Sequence, residues 1–198
     1  ISKFGFNSLI LIMKSYVIYT ASRIAHFQKI VELQIQNLPS TLTEDEAMTE
    51  GFVTLRHTAK LLEEMNTPYP HIISMDGDDL VGYTLVMLKE FNEVFPVMAP
   101  IVDIINELSY NNKPLGDSKY FIMGQVCIAK KARSQGIFKK LYDRLEEQMM
   151  SDFDYMITVI SYQNKRSLRA HEKVGFETIK IDTSKGRDWV IVLKQLNK

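Results

Sequence analysis

The stretch that decides the fold is Phe121-Ile-Met-Gly-Gln-Val-Cys-Ile-Ala129, which leads through Arg133-Ser-Gln-Gly136 into an amphipathic segment, Gly136–Met150. The apolar run predicts a buried strand, and the helical spacing of apolar residues after the loop predicts a helix. The loop is short and contains a glycine. It brings the chain to a helix N-terminus, where unpaired backbone N–H groups and the positive end of the helix dipole can hold an anion. We therefore predict an anion-binding strand–loop–helix unit.

A second polar helix start follows one strand later. Tyr155–Ile160 is an apolar strand, and Asn164-Lys-Arg-Ser-Leu-Arg-Ala170 opens a helix predicted over Lys165–Val174. A strand–helix–strand order implies a right-handed crossover between parallel strands. Asp76-Gly-Asp-Asp79 indicates a hairpin earlier in the chain, so the sheet is mixed. The sequence thus predicts one α/β domain, with a mixed sheet of six or seven strands flanked by helices.

Two helix signals and a long insertion precede this region. Ser22 is the expected N-cap of the first helix, and Thr43-Glu-Asp-Glu46 resembles a capping box for a short one. Residues 91–119 lie between two predicted strands and are too long for a simple connection. Such a length favours a functional or mobile loop.

Composition sets broad limits on function. The 198 residues are 45% hydrophobic, enough for the core of one domain, and 24 basic side chains balance 24 acidic ones. Because the net charge is zero, neither nucleic acid nor an anionic membrane surface is expected as a partner. Cys127 is the sole cysteine, which excludes an internal disulfide framework and is typical of the reducing cytoplasm. The four histidines lack ligand spacing, so no metal site is expected.

The N-terminal residues differ from the rest of the chain. Residues 1–12 are largely apolar but too few to span a bilayer, and they lack the small-residue cleavage site of a signal peptide. We expect residues 1–12 to be a dispensable extension and residues 13–198 to form the domain. The alternative is an extra edge strand or helix packed on the core.

Two motifs resemble those of one family. Arg133-Ser-Gln-Gly136-Ile-Phe138 is similar to the Arg/Gln-x-x-Gly-x-Gly/Ala signature of the GNAT (N-acetyltransferase) superfamily, although Phe138 stands where the family prefers glycine or alanine. Asn164–Phe176 resembles the family's second cofactor segment, which usually ends in a Gly-Phe pair. In element order the resemblance covers Tyr16 to Leu193. It implies a GNAT-like fold with a splayed central pair of parallel strands, and acetyl-coenzyme A (acetyl-CoA) as co-substrate.

The resemblance also implies how the cofactor is bound. The strand residues would pair by their backbone with the pantetheine arm, the loop N–H groups would hold the pyrophosphate, and Arg133 would add charge. The cofactor-binding residues implied in this way are Val126, Cys127, Ile128, Arg133, Ser134, Gln135, Gly136, Ile137, Phe138, Lys139, Asn164 and Ser167. A backbone N–H near Cys127 or Ile128 would stabilise the oxyanion of the tetrahedral intermediate. The plainer alternatives are that Cys127 is a small core residue and that Lys139 is a solvated charge.

The catalytic roles do not transfer directly from the family. Its members often place a glutamate on the strand before the phosphate loop as general base, and Gln125 stands there. An amide is not a base at neutral pH, but it can position a water, or Glu93 or Glu107 can serve instead. His171 replaces a tyrosine often seen as general acid, and an imidazole can protonate a leaving thiolate. The alternative is that His171 packs against the pantetheine or caps a carbonyl.

Together the motifs predict a cytoplasmic N-acetyltransferase. It would act on a primary amine of a small molecule or peptide by direct transfer, without an acyl-enzyme, and a homodimer is left open. Two other classes are also left open. One is a non-catalytic acyl-CoA-binding module, suggested by Gln125. The other is a nucleotide-binding α/β protein that uses the same helix start.

Overall fold

The computed structural model describes residues 16–92, 99–183 and 188–196. Its strands are β1 (Val17–Thr20), β2 (Ile72–Asp76), β3 (Asp79–Met87), β4 (Ser109–Tyr110), β5 (Lys113–Pro114), β6 (Tyr120–Ile128), β7 (Tyr155–Ser161), β8 (Glu177–Asp182) and β9 (Trp189–Gln195). Its helices are α1 (Ile24–Ile35), α2 (Glu44–Glu50), α3 (Ala59–Met65), α4 (Ala99–Asn106), α5 (Ile137–Met149) and α6 (Lys165–Lys173). None of these described helices has the length and apolar character to cross a membrane. The predicted extension over residues 1–12 lies outside the described residues.

Seven of the strands form one mixed sheet. Its order is β1-β2-β3-β6-β7-β9-β8, and β4 pairs with β5 in a separate ribbon. Neighbours in the large sheet are antiparallel except β6 and β7, which are parallel and connected through α5. The predicted α/β domain with a mixed sheet of six or seven strands flanked by helices is confirmed.

The central parallel pair separates after a short ladder. β6 and β7 pair at three positions, the last being Ile122 opposite Ile157. Beyond that point β6 stays paired with β3, and β7 stays paired with β9, to the ends of both strands. A bulge at Gly124 interrupts the register of β6 with β3, and bulges bend a strand. The two strands therefore diverge toward the start of α5, as the GNAT resemblance implies.

Side chains of the diverging strands alternate between two hydrophobic clusters. The first contains Phe121 and Met156 together with the buried residues of α5. The second contains Ile122 and Ile157 together with the buried residues of α4. Because successive strand residues point to opposite faces, α5 covers one face of this half of the sheet and α4 covers the other.

The insertion between β3 and β6 has a structural role in its described part. Val102 and Ile105 of α4 are buried in the second cluster, and so is Leu115 after β5. The Leu115 N–H also donates to Leu108 O at 2.8 Å. A functional role for the insertion stays a prediction, but shortening it would remove core residues.

Two helix signals in the first half have different outcomes. The capping box is confirmed: Glu46 N–H donates to Thr43 Oγ1 at 3.2 Å, and Thr43 N–H donates to Glu46 Oε2 at 3.1 Å. Ser22 as N-cap of α1 is wrong, because Arg23 occupies that position without a side-chain capping bond. The Ser22 N–H instead donates to His26 Nδ1 at 3.2 Å. The Ser22 side chain thus gives α1 no cap, and the bond at this helix start joins the backbone of Ser22 to the ring of His26.

Candidate functional site

A cleft opens where β6 and β7 diverge. It has a volume of about 470 Å³ and is bounded by the ends of β6 and α2, the start of α5 and one side of α6. Ten of the twelve cofactor-binding residues implied by the sequence line it, namely Val126, Cys127, Ile128, Arg133, Ser134, Gly136, Ile137, Phe138, Asn164 and Ser167. Among the described residues, its charged lining consists of four cations, Arg133, Arg166, Arg169 and Lys173, and one carboxylate, Glu50. Such an excess of positive charge suits an anionic ligand.

The loop before α5 turns the chain with two left-handed residues. Ser134 has φ +61° and Gly136 has φ +76°, and Gly136 is the N-cap of α5. A Cβ on Gly136 would meet no atom within 4 Å, so glycine is favoured here by conformation and not by packing. Lys140 N–H donates to Gly136 O at 3.2 Å. The N–H groups of Ile137–Lys139 precede that bond, where a helix has no internal acceptor for them, and they are available to an anion.

The side chain of Arg133 is bound within the protein. Its guanidinium donates to Ile128 O at 3.1 Å, to Glu50 Oε2 at 2.7 Å and to Asn37 Oδ1 at 2.8 Å. Only 12% of the side chain is exposed. These bonds brace the loop before α5 against β6, α2 and the residues after α1. A direct charge contribution of Arg133 to pyrophosphate binding stays a prediction.

Glu50 links the two predicted cofactor segments. Its Oε2 accepts from Arg133 Nη1 at 2.7 Å and from Arg166 Nη1 at 2.9 Å. The hydrogen bond from Arg133, with the charge of Arg166 beside it, lowers the pKa of Glu50. Glu50 is therefore ionised at neutral pH. No sequence signal singles it out, because it lies 83 residues before Arg133 and belongs to no motif.

Asn164 caps α6 and holds the segment that follows α2. Its Oδ1 accepts from Ser167 N–H at 3.1 Å, and its Nδ2 donates to Phe52 O at 3.1 Å. A Cβ on Gly51 would lie 2.8 Å from Asn164 Oδ1, and Gly51 has φ +76°. Close approach and backbone conformation therefore both require glycine at this position. Asn164 and Ser167 line the cleft where the two segments meet.

His171 lies outside the cleft lining, in an aromatic cluster. It is 1% exposed, and its ring stands edge-on to Phe138 and Phe176 with centroid distances of 5.2 Å. Nδ1 bonds Ser167 O at 2.8 Å and so carries the proton, while Nε2 accepts from the Tyr142 hydroxyl at 2.6 Å. Burial lowers the pKa of His171 to about 4. A ring that is neutral at pH 7 has no imidazolium proton for a thiolate, so this geometry favours the alternative in which His171 caps a carbonyl, that of Ser167, over the acid role.

Gln125 is held at both ends of its amide. Nε2 donates to Leu55 O at 2.8 Å, and Oε1 accepts from the Tyr83 hydroxyl at 2.5 Å. The side chain is buried and does not line the cleft. These bonds connect β3 and β6 to the segment between α2 and α3. The role of Gln125 in positioning a water stays a prediction.

Further buried polar side chains surround Gln125, and the sequence contains no signal for them. Gln34 of α1 bonds His57 through Nε2 and Nδ1 at 3.0 Å, and His57 N–H donates to Gln34 Oε1 at 2.8 Å. Burial lowers the pKa of His57 to about 4. The fully buried Tyr83 stands between this pair and Gln125. No spacing along the chain relates these residues, because only the packing of α1 on β3 brings them together.

Cys127 lies on the β6 wall of the cleft. It is 7% exposed, and burial raises the pKa of its thiol to about 12. The thiol is therefore protonated at neutral pH and is a poor nucleophile. This environment matches the alternative of a small core residue.

Three other described candidates, Gln135, Lys139 and Glu107, lie away from the cleft lining. Gln135 Nε2 donates to Lys131 O at 3.1 Å, and Lys139 pairs with an aspartate of the next turn at 2.7 Å. Glu107 is exposed after α4, and Glu93 lies outside the described residues. Among the residues that the structure describes, no three metal-ligating side chains come together. Of Gln135 and Lys139, only the backbone N–H groups therefore remain candidates for contact with the predicted cofactor.

The chain belongs to a known family. Residues 33–176 match the model of the acetyltransferase (GNAT) family, which covers more than half of the sequence. The protein is thus a member of the GNAT acetyltransferases, an acyltransferase class of enzymes. A comparison of the sequence with curated proteins returns no match.

Solved structures share the fold at low sequence identity. A phosphinothricin acetyltransferase from Sinorhizobium meliloti in complex with acetyl-CoA is 17% identical, with 93% of this chain and 90% of that chain covered and a TM-score of 0.58. The ribosomal-protein-S18-alanine N-acetyltransferase from Escherichia coli is 8% identical, with coverages of 93% and 96% and a TM-score of 0.59. The NatC complex bound to Gag peptide and CoA is 14% identical, with 92% of this chain and 99% of that chain covered and a TM-score of 0.59. At these identities the similarity shows the fold alone.

Proposed function

We propose that this protein transfers an acetyl group directly from acetyl-CoA to a primary amine of a small molecule or a peptide. The observation that carries the proposal is the cleft beside the end of β6 that has separated from β7, which reaches the left-handed turn of Ser134 and Gly136. A slot beside a strand backbone suits a long arm with amide groups. The N–H groups at its end suit a pyrophosphate. Membership of the GNAT family supports acetyl transfer in general.

In the proposed complex the pantetheine arm follows β6. Past Ile122 this edge of β6 has left its pairing with β7, so the arm can pair with backbone groups of Val126, Cys127 and Ile128 other than Ile128 O, which accepts from Arg133 Nε. The pyrophosphate lies against the N–H groups of Ser134–Lys139. Residues of α6, Asn164 and Ser167 at its start among them, contact the cofactor from the opposite side.

The proposed reaction forms one bond and breaks another. The amine nitrogen attacks the thioester carbonyl carbon, the C–S bond then breaks, and CoA leaves as the thiolate. A backbone N–H near Cys127 or Ile128 stabilises the oxyanion between the two steps. The amine loses a proton and the thiolate gains one. A role for Gln125 in orienting a water for the first proton stays a prediction, because its amide is enclosed between Leu55 O and the Tyr83 hydroxyl and does not line the cleft.

We assign His171 a positioning role instead of the acid role. Through Nε2 it holds Tyr142 of α5, and through Nδ1 it holds Ser167 of α6. These two helices carry the phosphate loop and the second cofactor segment. The ring thereby fixes the width of the cleft, which supports a contribution to cofactor affinity.

The proposed class of acceptor and the proposed cellular location of the protein rest on two separate observations. Among structures of this fold, one is named for phosphinothricin and another is bound to a Gag peptide, so the proposal covers small molecules and peptides. The sequence contains one cysteine and therefore no internal disulfide, which supports a reducing compartment such as the cytoplasm.

A panel of primary amines with acetyl-CoA tests the reaction. Release of CoA thiol, followed with a chromogenic reagent and confirmed by the mass of the acetylated product, is expected for one class of amines. CoA binding without turnover across the whole panel would instead favour the non-catalytic acyl-CoA-binding module.

The phosphate loop is tested by Gly136→Asp. Added bulk and negative charge at the anion site should abolish CoA binding in calorimetry. The matched control is Gly77→Asp in the β2–β3 turn, because Gly77 is also left-handed, with φ +59°, and a Cβ there also meets no atom within 4 Å. Unchanged CoA affinity in folded Gly136→Asp would refute the assignment of the loop.

A further inference from the structure

Glu50 is the one carboxylate in the described lining of a cleft that otherwise carries cations. It is the last residue of α2, and it bridges arginines from the two segments that the proposed cofactor contacts. Arg133 belongs to the phosphate loop and Arg166 to the first turn of α6. A single oxygen, Oε2, accepts from both guanidinium groups, at 2.7 Å and 2.9 Å. An anion of the protein itself therefore lies between the cations of the cleft.

The two arginines are not held equally firmly. Arg133 has two further acceptors within the protein and a side chain that is 12% exposed. Arg166 has a 35% exposed side chain, and its other hydrogen bond, to Thr49 O, measures 3.5 Å. A bond of that length is weak. Arg166 is therefore the guanidinium that a bound ligand can recruit.

Arg166 is also the first of three cations along the cleft side of α6. Arg169 and Lys173 follow it at intervals of three and four residues and line the same cleft. Residues at this spacing share one face of a helix. The row offers phosphate oxygens a cationic edge opposite the N–H groups of α5.

We propose that Glu50 is an internal competitor of the cofactor's phosphate groups for Arg166, and that it thereby sets how tightly the cleft binds a phosphorylated cofactor. The inference rests on the proposed function, since it takes CoA as the ligand. A carboxylate and a phosphate accept from the same guanidinium N–H groups. Arg166 therefore bonds either Glu50 or the phosphate, or it bonds both while their two negative charges repel each other. Arg133 keeps its other acceptors in either case and continues to brace the loop.

Glu50→Gln removes the charge and keeps a carbonyl oxygen that Arg133 can bond. We expect CoA affinity in low salt to rise by roughly threefold to tenfold, measured by calorimetry, as for removal of one partly exposed like charge. The gain should shrink in about 0.5 M salt, because mobile ions screen such charges. Glu46→Gln is the matched control, since Glu46 is a second carboxylate of α2 that pairs with Lys130 outside the cleft lining. It should leave CoA affinity unchanged.

Binding of 3′-dephospho-CoA shows which phosphate group of CoA competes with Glu50 for Arg166. A gain for CoA alone identifies the 3′-phosphate as the group that takes Arg166, and an equal gain for both ligands identifies the pyrophosphate. Either result supports the competition.

Arg166→Gln provides a second test, and the CoA affinity of this single variant can be measured whether or not Glu50→Gln folds. It should weaken CoA binding, and in the double variant it should abolish the gain from Glu50→Gln. Unchanged or weaker CoA binding by folded Glu50→Gln, with Glu46→Gln normal, would overturn the inference and make Glu50 a positioning partner of the arginines. The proposed function would survive that result, whereas the absence of CoA binding by the unaltered chain would overturn both.

Discussion

Removing the hydroxyl of Tyr142 tests the role of His171 more sharply than removing His171 itself. Tyr142→Phe keeps the ring packing but deprives His171 Nε2 of its donor at 2.6 Å, between two buried residues. A buried polar atom without a partner costs about 1–3 kcal/mol, and the free energy of unfolding at pH 7 should fall by that amount in urea denaturation. Tyr142→Phe/His171→Phe removes both partners and should recover most of the loss.

Stability at lower pH gives a second signature of the same pair. The pKa of His171, about 4, lies below its ordinary value of 6.5. The folded ring therefore stays neutral while the unfolded ring takes up a proton, so its stabilising contribution is full above pH 6.5 and is lost as the pH falls toward 4. Within that window the free energy of unfolding drops by about 1.4 kcal/mol per pH unit for each such histidine. In Tyr142→Phe/His171→Phe the pH slope that His171 contributes to the free energy of unfolding should be absent. The slopes that His57 and His71 contribute should remain.

Turnover separates positioning by His171 from acid catalysis. In folded Tyr142→Phe we expect a higher KM for acetyl-CoA and a kcat within about threefold of the unaltered enzyme, because the helices that bear the proposed cofactor residues lose a connection. An acid role instead requires His171→Phe to lower kcat by roughly 10²-fold or more and to move the basic limb of the kcat–pH profile. That kinetic result, with KM unchanged, or an unaltered pH slope of stability in the double variant, would refute the reasoning.

Two further predictions concern Gln125 and the insertion. Gln125→Glu replaces the N–H that binds Leu55 O by a carboxylate oxygen, so the free energy of unfolding should fall by about 1–3 kcal/mol near pH 8 and by less near pH 5, where the buried carboxyl protonates. Equal losses at both pH values in urea denaturation would contradict this account. Leu115→Ala leaves a cavity in the second cluster and should cost about 2–5 kcal/mol without changing CoA affinity, with the exposed Lys113→Ala as control. Weaker CoA binding by a folded Leu115→Ala would connect the insertion to the cofactor cleft.

Much of the fold was predictable because its signals are local. The apolar run before the phosphate loop and the helical spacing after it correspond to β6 and α5 with shifts of one residue at each end. The capping box at Thr43 was predictable for the same reason, since its two bonds join residues three positions apart. Ser22 failed as a cap because a capping position depends on where the first turn begins, and His26 takes the Ser22 N–H instead.

The chemistry of single side chains was less predictable. The sequence puts Gln125 and His171 at positions where the family resemblance implies catalytic groups. Their partners in the fold, Tyr83 for one and Tyr142 for the other, come from distant parts of the chain. Burial and satisfied hydrogen bonds then change what each residue can do, since a neutral, enclosed imidazole is no longer a proton donor at pH 7.

By itself, the sequence determined the order of the elements, the family motifs and the turn that exposes N–H groups at the start of α5. These depend on backbone conformation and capping, which neighbours within a turn control. Only the tertiary structure decided which charged side chains of the cleft pair with one another. Glu50 meets Arg133 and Arg166 across separations of 83 and 116 residues. Hydrogen bonding and charge pairing depend on distance in space and not along the chain, and the packing of α2 against α6 is what sets that distance.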